Sequence, residues 1–164
     1  MELAPNYCRC KTLILGCGNI LLGDDGFGPR VAEELQKNYN LPENVLVINA
    51  GSSVRNILFD ITLSESKPDK IIIVDAIDDA RTAGEIFELP IDNIPVKKID
   101  DFSMHQVPTS NLLKELKEFC KVDVMIIVCQ AENTSIEVTD RISDTLLNAI
   151  PVTCNRIYEI ITKN

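Results

Sequence analysis

Few side chains in this sequence are suited to chemistry, and their scarcity is informative. Histidine occurs once, at His105, so HExxH and three-histidine zinc sites are impossible within one chain. No GxSxG occurs, which removes the usual nucleophile elbow. A metal held here must therefore draw its remaining ligands from carboxylates or thiols. Carboxylates stand at two places where a strand gives way to a loop. Asp24 and Asp25 sit in the glycine-rich stretch Gly16–Gly28, and Asp75 directly follows Ile72-Ile73-Val74. His105 stands in a polar loop with Gln106. In open α/β sheets, sites form beyond the C-terminal strand ends, where such loops converge. Two carboxylates and one imidazole with a position left open suit zinc or nickel better than an all-oxygen calcium cage.

The same glycine-rich stretch departs from both nucleotide motifs that it imitates. Gly18 and Gly23 have Walker A spacing, but Asp24 and Asp25 replace the Lys and Ser/Thr and would repel phosphates. Gly16 and Gly18 begin a dinucleotide fingerprint, yet Leu21 occupies the third glycine position. Nucleotide is thus not an expected ligand. Plainer roles stand beside the metal reading: one of Asp24 and Asp25 can cap a helix, Asp75 can cap a loop, and His105 can be solvated. Gln130 closes the last strand, and Glu132 and Glu137 follow in what reads as a solvated loop. The cysteines are Cys8, Cys10, Cys17, Cys120, Cys129 and Cys154, with no CxxC, and they read as small buried hydrophobes.

The elements that must position these residues alternate in period. Strands are expected at Thr12–Cys17, Val45–Ile48, Lys70–Ala76 and Val122–Cys129, with a short antiparallel edge strand at Glu85–Leu89. Helical spacing follows from Phe27, from Val54 and from Leu112, and again over Ile142–Ile150 and Val152–Ile161, where Pro151 should break or kink the run. The fold class is α/β: a three-layer α/β/α sandwich with a twisted, mostly parallel five-stranded sheet. One domain spans residues 1–164, with 1–10 a flexible tail, and the least ordered segment is expected at Asp78–Gly84 or Pro95–Pro108. Sixteen basic against 25 acidic residues give a net charge of −9, which disfavours nucleic acid and anionic membranes as partners. The first residues lack the apolar core of a signal peptide, and the expected setting is the cytoplasm with reduced thiols.

In order along the chain, these residues resemble the hydrogenase maturation endopeptidases, the nickel–iron hydrogenase processing proteases. The stretch Gly16-Cys17-Gly18-Asn19-Ile20-Leu21-Leu22-Gly23-Asp24-Asp25-Gly26-Phe27-Gly28 is similar to the family's opening motif. Ile48-Asn49-Ala50-Gly51-Ser52, Ile72-Ile73-Val74-Asp75-Ala76, Gly84-Glu85-Ile86, Ser103-Met104-His105-Gln106 and Gln130-Ala131-Glu132 extend the match to nearly the whole chain. The formate-hydrogenlyase and methanogen-type branches look closest. The resemblance implies an enzyme that removes a C-terminal extension from a nickel-loaded hydrogenase large-subunit precursor. It implies Asp25, Asp75 and His105 as the catalytic, metal-contacting triad, with nickel supplied by the substrate and zinc or cadmium able to take its place in vitro. Asp24 is then a candidate base or positioning group. Two departures stand out: the family's opening acid is often Glu where this chain has Asp25, and Asn49 stands where Asp is commoner. A non-catalytic metal-binding chaperone or docking module is the competing expectation.

Overall fold

The computed structural model describes residues 4–94, 109–135 and 137–163. His105 and the whole Pro95–Pro108 stretch therefore lie outside the described residues. Five strands form one sheet: β1 (Thr12–Cys17), β2 (Val45–Gly51), β3 (Lys70–Ile77), β4 (Ile86–Glu88) and β5 (Asp123–Gln130). Their spatial order is β2-β1-β3-β5-β4, with every pairing parallel except the antiparallel β4–β5 edge. The mostly parallel sheet with one short antiparallel edge strand is the architecture that the alternating pattern requires.

Strand alternation sorts the apolar side chains onto two faces. On one face Leu13, Leu15, Ile71, Ile73, Val124, Ile126 and Val128 pack under α3 (Val54–Leu63) and α4 (Thr109–Glu118). On the other, Ile14, Ile72, Val74, Ile127 and Cys129 pack under α2 (Phe27–Asn38) and α5 (Asp144–Thr162). Strand β3 is buried on both faces because helices cover both, and its unbroken Ile71–Val74 run is what such a strand needs.

Three local expectations are corrected. Residues expected as a tail contain a helical turn, α1 (Asn6–Arg9), whose Cys8 is fully buried and joins the core beneath α3. Asp78–Gly84 is tied down by Gln130, whose Oε1 accepts from the amides of Asp79 and Arg81 at 2.8 and 3.1 Å. Arg81 reinforces this loop with ion pairs to Asp79 and Glu85, both 3.0 Å. Finally, α5 runs through Pro151 as one helix. The proline is exposed and Leu147, whose carbonyl it cannot engage, is half exposed, so water is available to that carbonyl. The buried stripe Leu146, Ile150, Cys154, Ile157 and Ile161 holds the helix to the sheet on either side.

Helix α2 approaches the sheet unusually closely. A Cβ added at Gly28 would overlap the backbone oxygens of Cys17 and Val74, and one at Gly16 would overlap the Gly28 carbonyl. Backbone thus lies on backbone where the pairing of β1 with β3 ends. None of the six cysteines forms a disulfide. Burial, reinforced by the charge of Asp24, pushes the Cys129 thiol up to about 12. Burial together with Glu34 does the same to Cys154.

Gly28→Ala should cost about 3 kcal/mol, since the added methyl meets immovable backbone rather than a side chain. Urea denaturation measures it, and a loss near zero would mean the helix can lift at no cost. The raised thiols set an alkaline limit. The fold favours the neutral thiol, so this stabilisation is complete below the ordinary thiol value and is lost as pH climbs through about 12. Urea midpoints should fall between about pH 8.5 and about pH 10.5, and fall less in the Cys129→Ala/Cys154→Ala double variant.

Candidate active site

The loop after β1 is stitched by its own backbone and by one carboxylate. Gly18 N–H donates to the Gly51 carbonyl at 3.1 Å, and Leu22 N–H to the Asn19 carbonyl at 3.1 Å. The 3-10 turn Gly23–Gly26 then leads directly into α2. Asp25, half-buried within that turn, accepts the Asn19 N–H on Oδ2 at 2.8 Å. Its carboxylate therefore closes the loop and is fixed beside the end of β1.

Asp75 reaches the same place from β3. The parallel register sets Gly16 opposite Val74, the last β1–β3 pair, so Asp75, expected after the strand but still paired with Val128 of β5 inside it, emerges beside the loop that leaves β1. Asp75 is 4% exposed and its Oδ1 accepts the Ala76 N–H at 2.8 Å. Gly18 lies between the two acids. It has φ +129°, its Cβ would overlap the Asp25 carbonyl oxygen, and that Cβ would stand 3.4 Å from Asp75 Oδ1. Only glycine fits there, both for the dihedral and for the space. The structure thus brings Asp25 and Asp75 to one point of the sheet edge. His105 lies outside the described residues, and among the described residues no three His, Cys, Asp or Glu side chains form a metal-binding group. Two aspartates could offer a cation two hard anionic ligands, and a third ligand such as an imidazole would be needed to complete a divalent-cation site.

Asp24, expected as a base or a positioning group, is engaged quite differently from its neighbour. It is 2% exposed. Oδ2 accepts from the amides of Glu132 and Asn133 at 3.0 and 2.9 Å, and Oδ1 accepts from the Ser143 amide at 2.7 Å. Three backbone donors occupy both oxygens of a buried carboxylate, an arrangement that satisfies it and the donors together. This geometry suits positioning and leaves no oxygen turned to a reacting group. Nothing in the sequence marks Asp24 for this work, because its partners are backbone amides more than 100 residues away.

The remaining candidates have structural explanations. Gln130, 3% exposed, also donates from Nε2 to Asp78 Oδ1 at 3.2 Å and so orders the loop after β3. Glu132 contributes its amide rather than its carboxylate, which is exposed. Glu137 is exposed and lines a cavity of about 160 Å³ with Leu22, Asp24, Asn133, Thr139 and Arg141. Asn49 is exposed on β2 opposite Gly16, and its Oδ1 lies 3.9 Å from where a Cβ of Gly51 would be. It therefore borders the same loop cluster as the two aspartates. Sequence reasoning missed Ser143 and Thr139. Ser143 caps α5 through its hydroxyl, a spacing visible in Ser143-Asp144-Thr145-Leu146, while its amide reaches Asp24.

A family model described as HycI, hydrogenase maturation protease, matches residues 29–160. A putative hydrogenase maturation protease of Methanocaldococcus jannaschii is 41% identical over 139 residues, 84% of this chain and 88% of that one. The delta subunit of the coenzyme F420 hydrogenase of Methanothermobacter thermautotrophicus is 36% identical over 128 residues, covering 76% and 77% of the two chains. Among solved structures, the [NiFe] hydrogenase maturation protease HycI of Thermococcus kodakarensis superposes with a TM-score of 0.69 at 28% identity, over 94% of each chain. A fold built to deliver two aspartates to one sheet edge and a family match over most of the chain agree, and the chain belongs to the hydrogenase maturation proteases.

Proposed function

We propose that this protein is the endopeptidase that removes the C-terminal extension of a hydrogenase large-subunit precursor, and that it reads the precursor's nickel with Asp25, Asp75 and His105. The observation that carries this reading is that the backbone of Asp25 and the carboxylate of Asp75 both close on Gly18, in a chain of the maturation protease family. Two carboxylates held by the ends of a rigid sheet are preorganised, so ligating a cation already bound to the precursor costs little rearrangement. The precursor's nickel is substrate here. Its capture by three protein ligands would place the adjoining peptide bond at the sheet edge and polarise its carbonyl or a water for hydrolysis. Zinc or cadmium ions would compete for the same ligands in vitro. Asp25 reaches one methylene less far than a Glu would, and the Asn19 amide that it accepts fixes its carboxylate within the loop.

The setting we assign is the cytoplasm, in keeping with six cysteines and no disulfide. Among the described residues no helix is long and apolar enough to cross a membrane. One domain over residues 1–164 would carry the activity. The second reading is a non-catalytic assembly factor that holds the precursor through the same ligands. It draws on a relative that is named as a hydrogenase subunit.

Incubation with nickel-loaded and nickel-free precursor, followed by intact-mass spectrometry, separates these readings. Loss of the C-terminal extension from the loaded form alone is the expected result, and an unshortened precursor in a stable complex would favour the assembly factor. His105→Ala and Asp75→Asn should each reduce the cleavage rate by about 100-fold or more, as loss of a metal ligand would. Undiminished cleavage by either variant would remove that residue from the site.

A further inference from the structure

The segment between β5 and α5 is joined to the Asp25 loop at five points. Asp24 holds the amides of Glu132, Asn133 and Ser143. Thr139 forms a parallel bridge with Leu22, its amide donating to the Leu21 carbonyl at 2.7 Å and its carbonyl accepting from Gly23 at 2.9 Å. The bridge sets Val138 beside Leu21, one residue back on each segment. Val138 is 83% exposed, Leu21 54% and Ile20 48%. Isolated exposed apolar side chains need no explanation, but three gathered on two stitched segments call for a partner. They border the site directly, because the Asn19 amide next to Ile20 is the group that holds Asp25.

We propose that Asp24 is a positioning residue for precursor binding: it braces the 132–143 segment against the Asp25 loop so that Ile20, Leu21 and Val138 form an apolar lip for the precursor chain beside the scissile bond. This rests on the protease reading above. The occupant follows from continuity, since a polypeptide whose scissile bond lies at Asp25 and Asp75 must leave that point over one of the bordering loops. Among the described residues, the Asn19–Leu22 loop there carries apolar side chains turned to water. Charge narrows it further. Exposed Glu132, Glu137 and Asp140 outnumber the one exposed cation, Arg141, on the segment that carries Val138, in a chain of net charge −9, so the segment received is apolar with basic rather than acidic flanks. The cavity between the two segments, about 160 Å³, gives one side chain of that segment a place to enter.

The test uses the full chain with the nickel-loaded large-subunit precursor from the same organism. Val138→Asp lies on an exposed position and should raise KM about tenfold while changing kcat less than about twofold. Asp24→Asn keeps one acceptor oxygen and loses the other. It should raise KM in the same way and speed amide hydrogen exchange at Glu132, Asn133 and Ser143. An unchanged KM in Val138→Asp overturns the lip. A fall in kcat at constant KM in Asp24→Asn, or unaltered exchange at those three amides, overturns the positioning role. Should Asp24→Asn not fold, Leu21→Ser joins Val138→Asp, and the pair decides the lip by the same KM criterion. If the wild-type chain cuts nothing, the protease reading fails, while weaker precursor affinity of Val138→Asp by calorimetry would still uphold the lip and equal affinity would overturn it.

Discussion

Backbone against backbone, with no side chain between, is the constraint on which this site depends. Gly28 in the first turn of α2 lies directly on Cys17, at the end of β1, and on Val74 of β3, and Gly16 leaves the space for it. A helix that close leaves room for only a tight connection from β1, so the loop is compressed into a 3-10 turn and closed on itself by Asp25. Asp75, one residue beyond the point where β3 still pairs with β1, emerges into the same small space. Had side chains separated the helix from the sheet, the opening loop would stand farther from Asp75, and two acids alone would not hold it closer against their repulsion.

Adjacent carboxylates in one turn have opposite fates. Consecutive residues of a 3-10 turn point about 120° apart, so Asp24 and Asp25 cannot share an environment. Asp24 turns inward, toward the Cys129 side of the core, and takes three backbone amides. Asp25 stays half-buried at the loop it closes. A buried anion with too few donors would be costly, and the amides at the two ends of the 132–143 segment remove that cost while fixing the segment's path. The pairing thus couples the architecture of the far side of the sheet edge to the loop that carries the candidate ligand.

The rest of the molecule supplies rigidity. Two cores, one on each face, immobilise β3 and β5, and the strand ends inherit that stiffness. Gln130 does for the loop after β3 what Asp24 does for the segment after β5: one buried polar side chain collects backbone donors from a neighbouring loop. Cys129 and Cys154 are core-filling groups rather than ligands or nucleophiles, because burial keeps their thiols protonated.

By itself the sequence determined the periodic features, since each depends on a short window and a single buried face. Ile71–Val74 read as a doubly covered strand and Glu85–Leu89 as a short edge, whereas Asp75, expected at the strand end, lies inside β3 and only the β1 pairing stops before it. The family, too, was legible in the order of the Gly16–Gly28, Val74-Asp75-Ala76 and Ser103–Gln106 motifs. Tertiary structure alone decided what long-range partners decide. It ordered Asn6–Arg9 by burying Cys8, carried α5 through Pro151 on the strength of its apolar stripe, and tied Asp78–Gly84 to Gln130. It also separated Asp24 from Asp25, because a backbone amide over 100 residues away leaves no trace in residue type. Local pattern records which face of an element is buried, whereas the partners of a single polar side chain exist only once the chain has closed around it.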